Sequence, residues 1–267
     1  MIIMEAFKKH LEDQQLSYST IKTHLRQFEL FKDIDIHDQD KLLELVKQQE
    51  TLSKQKTLAS TISKYLNFVE KPLEKIRSYL ADLNTELAVQ HRKRSQEQVK
   101  NVGISVADLK KYIETLFNEK KWREYVILYC FVYLNCRNQD LIAEVVDAYH
   151  EMSDDKNYFV ISKKKDSCTF YRNVYKTSNT YNRKINKIVN KKFLKAITQI
   201  PYVLKANDNM DRVIKKITSP LGSNITESLI TKLVLSEKQS MIDVERVSKN
   251  RGTSISTLHA SYNGNTE

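Results

Sequence analysis

Glycine and proline are scarce, four and three in a chain of 267 residues. Collagen-like, Gly/Pro-rich disordered and turn-rich all-β chains need far more of both. Three cysteines are few and odd in number, which argues against a disulfide framework and for a reducing compartment. The longest apolar run, Val126–Leu134, falls well short of the roughly 18–20 residues of a membrane helix. The N-terminal stretch MIIMEAFKKHLEDQQ turns charged too early for a secretory signal. GxxxxGKS/T, GxGxxG, HExxH, CxxC and GxSxG are all missing. The histidines are scattered without metal-ligand spacing, and Cys130 and Cys136 read as core thiols. The expectation is a soluble, intracellular, non-secreted protein with no membrane partner, no metal or other cofactor and no small-molecule substrate.

What is abundant is positive charge. The chain carries 44 Lys+Arg against 33 Asp+Glu, net +11. Residues 1–90 hold 13 basic and 14 acidic side chains, and residues 91–267 hold 31 and 19. Within Lys156–Lys216 there are 16 basic and 3 acidic residues, net +13. One window thus exceeds the net charge of the whole chain, which marks a polyanion partner, because cations that neutralise phosphates release condensed counterions. The Lys-, Asn- and Ile-rich composition suggests an AT-rich genome such as that of a large DNA virus.

Hydrophobic periodicity predicts a mainly α chain with a small β-hairpin or sheet. In the first part, helices are expected at Met4–Gln14, after a cap at Ser17 or Ser19, at Lys41–Gln49, from Ser53 onward, and at Leu73–Leu83. The stretch Glu86–Val102 is poor in large apolar residues, carries a basic cluster at His91–Arg94, and is the best candidate for a boundary. The expected division is therefore residues 1–90, a linker at 91–102, and 103–267. In the second part, Ser105 with Asp108 resembles a capping box, and Trp122–Asn135 is apolar nearly all round, as in a buried helix. Leu141–Tyr149 reads as a short amphipathic helix. Tyr158–Ile161 and Thr169–Tyr175, parted by SKKKDS, read as a hairpin. Helical patterns follow at Lys184–Ile197, Met210–Ile217, Thr226–Leu235 and Ile242–Lys249.

Several segments in order resemble the tyrosine recombinase (phage integrase) family. Phe7–Phe31 and Leu52–Glu70 look like its N-terminal helical core-binding domain. Ile127–Val146 resembles the apolar helix followed by the Gly-x-Arg-x-x-Glu-Leu box, here Asn135-Cys136-Arg137-Asn138-Gln139-Asp140-Leu141. Val174–Tyr181 looks like the strand Lys-Thr motif, with Lys176 as the lysine. Ser248–Tyr262 resembles the segment that ends in the nucleophilic tyrosine, with Gly252 on its glycine and Tyr262 nine residues after Thr253. Departures are equally visible. ITESLITKL, Ile225–Leu233, stands where a His-x-x-Arg box belongs, so Ser228 replaces His and Thr231 replaces the second Arg. Thr253 replaces a further His, and three of six catalytic positions are altered.

The resemblance implies strand cleavage by direct transesterification, with a 3′-phosphotyrosine intermediate, double-stranded DNA as partner and several copies assembled on DNA. It implies the catalytic set Tyr262 as nucleophile, Arg137 as phosphate clamp and Lys176 as donor to the leaving oxygen. A free phenol is ionised at neutral pH in only roughly one molecule in a thousand, so such a site must activate it and stabilise the phosphorane. The missing second arginine would be replaced by Arg251, Lys232 or Arg246. Lys163, Lys164, Lys165, Arg172, Lys191 and Lys192 are the candidate phosphate contacts. Two functions stay open on these residues: a site-specific recombinase or integrase of a virus or mobile element, and a catalytically degenerate homologue that binds or shapes DNA. A helical nucleic-acid-binding protein without chemistry is the third.

Overall fold

Hydroxyl, carboxylate and amide side chains placed just before apolar stripes start most helices of this chain, a computed structural model of which describes residues 2–175, 183–222, 225–237 and 241–262. Two units are present, Met1–Gln90 and His91–Glu267.

The first unit holds α1 (Ile2–Asp13), α2 (Tyr18–Phe28), α3 (Gln39–Lys47), α4 (Leu52–Phe68) and the opening turns of α5 (Glu74–Asn101). Ser17, Asp38 and Thr51 cap α2, α3 and α4 by accepting from the amides of Thr20, Lys41 and Lys54 at 3.3, 3.0 and 3.2 Å. Phe7, Phe28, Phe31 and Tyr65 interlock at the centre, with the Phe28 and Tyr65 rings 4.8 Å apart. The buried polar pair in this core is His24 with Thr61, bonded at 2.8 Å. Burial, then the charge of Lys64, pushes the His24 pKa down, so this imidazole is neutral inside the core.

Scarce glycine leaves a mark on the helix ends. Gln15, Glu70 and Lys120 adopt left-handed backbone at φ of 55°, 55° and 57°, a role glycine usually fills. The amides of Leu16, Lys71 and Lys121 then bond back to the carbonyls of Leu11, Leu66 and Leu116. Each helix thus closes its last turn at the cost of Cβ crowding.

The segment expected as a linker, 91–102, is helical through Asn101 and forms the last turns of α5. Its Gln, Arg, Lys and Glu residues are strong helix formers, and neither Gly nor Pro interrupts them, so lack of apolar residues did not mean lack of structure. The second unit continues with α6 (Val106–Asn118) and α7 (Trp122–Tyr133). Ser105 and Asp108 form the expected reciprocal box, at 2.9 and 3.1 Å. The buried face of α7 runs from Tyr125 to Val132 and organises the core.

Leu141–Tyr149, expected as a helix, is instead the end of a 3₁₀ turn (Asn138–Leu141) and strand β1 (Ala143–Asp147). β1 pairs in parallel with β2 (Asn157–Ile161), and its Val145 and Val146 suit a pleated surface. The far edge of β1 is covered as well, because Val145 donates to the Pro201 carbonyl and Val203 donates to that of Ala143. β2 and β3 (Cys168–Arg172) form the expected hairpin, and the partner rings Phe159 and Phe170 stack at 3.9 Å. Lys184–Ile197 is not one helix. Lys184–Ile188 is strand β4, antiparallel to β3, and Asn190 caps α8 (Lys191–Ile197). Both strand segments have five residues, too short for periodicity to separate strand from helix before partners are known. The chain closes with α9 (Met210–Thr218), α10 (Glu227–Ser236), α11 (Met241–Arg251) and α12 (Ile255–Tyr262). The fold is therefore mainly α with a small sheet, ordered β1-β2-β3-β4. Among the described residues, no helix is long and apolar enough to cross a membrane, and no group of three His, Cys, Asp or Glu could hold a metal ion.

Candidate active site

Helix α7 is stopped by Asn135, left-handed at φ 53°, whose amide nitrogen donates to the Phe131 and Val132 carbonyls. The reversal buries Cys136 and sets Arg137 beside the 3₁₀ turn. Asp140 accepts from the Arg137 amide at 3.0 Å, which locks the loop. One terminal nitrogen of Arg137, Nη2, donates to the hydroxyl of Thr253, and the other, Nη1, is buried with no partner.

Arg251 ends α11 and is 2% exposed. Its Nη2 pairs with Glu227 Oε1 at 2.6 Å and its Nη1 donates to Thr231 Oγ1 at 2.7 Å. Its Nε is buried without a partner. Burial opposes the Arg251 charge, yet Glu227 and then Tyr262 outweigh burial and hold its pKa up. Arg137 feels the reverse balance. Burial, then the Arg251 charge, push its pKa down, although a guanidinium stays protonated. Two guanidiniums are thus held close enough to repel, each with a buried donor unused.

Gly252, left-handed at φ 60°, turns the chain immediately after α11. Arg251 thereby enters the core while Thr253, two residues on, meets Arg137. One further turn of sequence leads into α12 and Tyr262. The Arg251 guanidinium carbon lies 5.1 Å from the centre of the Tyr262 ring. Arg137, Arg251, Thr253 and Tyr262 therefore converge. Thr231, at the place of the expected second arginine, is the acceptor that positions Arg251.

The other candidates are spread more widely. Lys232 lies one residue from Thr231 but bonds Gln98 at 2.6 Å, away from this group. Arg246 pairs with Asp243 at the surface. Lys176 lies outside the described residues. Lys163, Lys164 and Lys165 are exposed in the β2–β3 turn, with Lys163 over the Tyr149 ring at 4.6 Å. Lys191 and Lys192 are exposed at the start of α8, where Lys192 pairs with Glu114.

Arg172, expected as a phosphate contact, is a correction. It is 1% exposed and bonds Asp140 at 3.3 Å, the Asn250 carbonyl at 2.6 Å and Asn186 Oδ1 at 2.6 Å. The alternation of β3 points Cys168, Phe170 and Arg172 inward together, so this charge supports the site from within. Sequence reasoning also passed over Lys184. It is half-buried on β4, donates to the Lys249 carbonyl and stands over the Tyr175 ring. Burial, and next the Arg172 charge, push its pKa down to about 8. Nothing in its local sequence distinguishes it from the other lysines of the basic window.

No family model matches this chain, and no curated protein does. Among solved structures, the crystal structure of XerA recombinase aligns over 100% of this chain and 94% of that one, at 14% identity and a TM-score of 0.38. A likeness that distant carries no functional argument, and the chemistry is argued from the residues above.

Proposed function

We propose that this protein is a site-specific DNA recombinase or integrase of a virus or mobile element, which breaks and rejoins duplex DNA through Tyr262. The observation that carries this reading is the convergence of Arg251 and Tyr262 with Arg137, which lies far before both in sequence. Tyr262 Oη attacks a backbone phosphorus and gives up its proton. A bond from phosphorus to Oη forms, the bond to the 5′ oxygen breaks, and that oxygen leaves as a hydroxyl after taking a proton. Arg137 Nη1 and Arg251 Nε are the unused buried donors, and they serve the developing phosphorane charge. Lys176 holds the proton-donor role by resemblance, and Lys184 is a second lysine suited to it, because an ammonium with a pKa near 8 exchanges its proton readily at neutral pH. Exposed Lys163–Lys165, Lys191 and Lys192 supply phosphate contacts. Cooperation of several copies on DNA, and action where that DNA is replicated, belong to the same proposal.

The test is a nicked suicide duplex carrying the element's own flanking sequence. A covalent protein–DNA adduct on a denaturing gel is expected, and it disappears in Tyr262→Phe. Arg251→Ala slows adduct formation by about 10²–10³-fold. An adduct that persists in Tyr262→Phe removes the nucleophile assignment. One observation favours the second reading, a DNA-binding homologue without chemistry. Thr253 already occupies one terminal nitrogen of Arg137, and Glu227 and Thr231 occupy both terminal nitrogens of Arg251. Duplex binding with no adduct at all would decide for it.

A further inference from the structure

The face of α10 next to the arginine pair opens onto a second basic recess. Successive helical residues diverge by about 100°, so Thr231 turns to Arg251 while Lys232 turns to the last turns of α5. There His91, Arg94 and Gln98 share one helix face, by their spacing of three and four. They bound, with Lys232 and the hydroxyl residues Thr226 and Ser228, a cavity of about 720 Å³. The basic run His91–Arg94, which the arginine–tyrosine site leaves unused, therefore contributes two of its four residues here. Glu97 is the carboxylate on this wall.

Lys232 is half-buried and bonds the neutral Gln98 rather than an acid. Burial and then the positive charge of Arg94 push its pKa down. Half-buried Lys232 and exposed Arg94 repel across the recess, and an anion between them relieves the repulsion. An arginine fork, an ammonium and two hydroxyl groups form a mixed donor set that suits a tetrahedral oxyanion. The volume lies in the range that admits a ligand larger than a bare ion.

We propose that this recess binds a phosphate group bearing a nucleoside, either a backbone phosphate of a DNA strand or a free nucleotide. It is separate from Tyr262, and only the DNA source draws on the proposed function.

The full chain and its Arg94→Gln/Lys232→Gln double variant are compared with two probes, dAMP by calorimetry and a short duplex by anisotropy between about 50 and 200 mM salt. Gln at 232 keeps a partner for Gln98. If the phosphate is a backbone phosphate, duplex affinity falls at least tenfold and the slope of log affinity against log salt shrinks by about 1–2 in the double variant. If it belongs to a free nucleotide, dAMP binding to the wild type is lost in the variant while the duplex slope holds. Arg94→Lys/Lys232→Arg retains whichever signal the wild type shows. A double variant with unchanged duplex slope and no change in dAMP binding overturns the proposal. Tyr262→Phe, read by adduct formation, fails or succeeds independently of all these outcomes.

Discussion

The two units of this chain spend buried space differently. The first, residues 1–90, is near neutral and fills its core with interlocked aromatic and aliphatic side chains, relieved by one neutral His24–Thr61 pair. The second, net +12 over residues 91–267, buries Arg172, Arg251 and Asp140 within its core. Buried ions return little net stability, because desolvation offsets their attraction. The second unit therefore gives up stability to hold charge in fixed positions, and one of those charges, Arg251, stands over the Tyr262 ring. A core built for cohesion and a core built for placement differ in what a single substitution does to them.

The largest effects should come from breaking each core in its own currency. Phe7→Ala in the first unit removes a ring at the centre of the cluster and should cost about 3–5 kcal/mol. Arg172→Ala should cost a similar ~3–5 kcal/mol by stranding Asp140 without its partner. The two are told apart by repair. Arg172→Met with Asp140→Leu should recover most of the loss in chemical denaturation while the positioning of Arg137 is lost, because Asp140 also locks the Arg137 loop. If the apolar pair remains as unstable as Arg172→Ala, the difference between the cores is not one of charge.

A smaller effect tests where the polyanion is gripped. Neutralising Lys163, Lys164 and Lys165 together to Gln should flatten the salt dependence of duplex binding by about 2–3 in log–log slope. The same treatment of Lys54, Lys56 and Lys64 in the first unit should change it less. Equal slopes from both triples would erase the electrostatic contrast.

Lys184 gives a pH signature specific to the second unit. Its folded pKa, about 8, lies below the ordinary 10.5. Between these values the unfolded chain binds more protons than the folded one, so stability rises with pH across that window and the penalty is full below it. Lys184→Met should flatten this rise. Selective labelling of lysine side chains should show one resonance titrating near pH 8, and an ordinary titration near 10.5 would remove Lys184 from the proton-donor candidates.

The smallest effects concern helix ends. Gln15→Gly, Glu70→Gly and Lys120→Gly should each stabilise by about 0.5–1 kcal/mol, by relieving left-handed crowding. Because these sites fall in both units, equal gains in thermal unfolding would show that this feature, unlike the cores, is shared.

Much of the architecture was legible before any coordinates. Ser17 and the Ser105–Asp108 box announced helix starts, because a cap acts within one turn of its own residue, while α4, read as opening at Ser53, is capped by Thr51. The β2–β3 hairpin was legible because its strands sit side by side in the chain. β1 and β4 were not, since five residues acquire a strand's hydrogen bonds only when a neighbour supplies them. Arg137 and Tyr262 could be singled out from the resemblance. Arg251 could be nominated, but its place was invisible, because it depends on α11 ending at Gly252 against α10.

Amino-acid order settled what acts over short range: the caps, the glycine-poor helix ends, the apolar stripes and the uneven charge of the two halves. Which charges face solvent and which are walled in depended on elements meeting across long separations. Arg172 and Lys163 belong to the same basic window, yet one pairs with Asp140 in the core and the other stands over Tyr149 at the surface. Burial is a property of the neighbours a side chain acquires, and those neighbours exist only once the chain has closed upon itself.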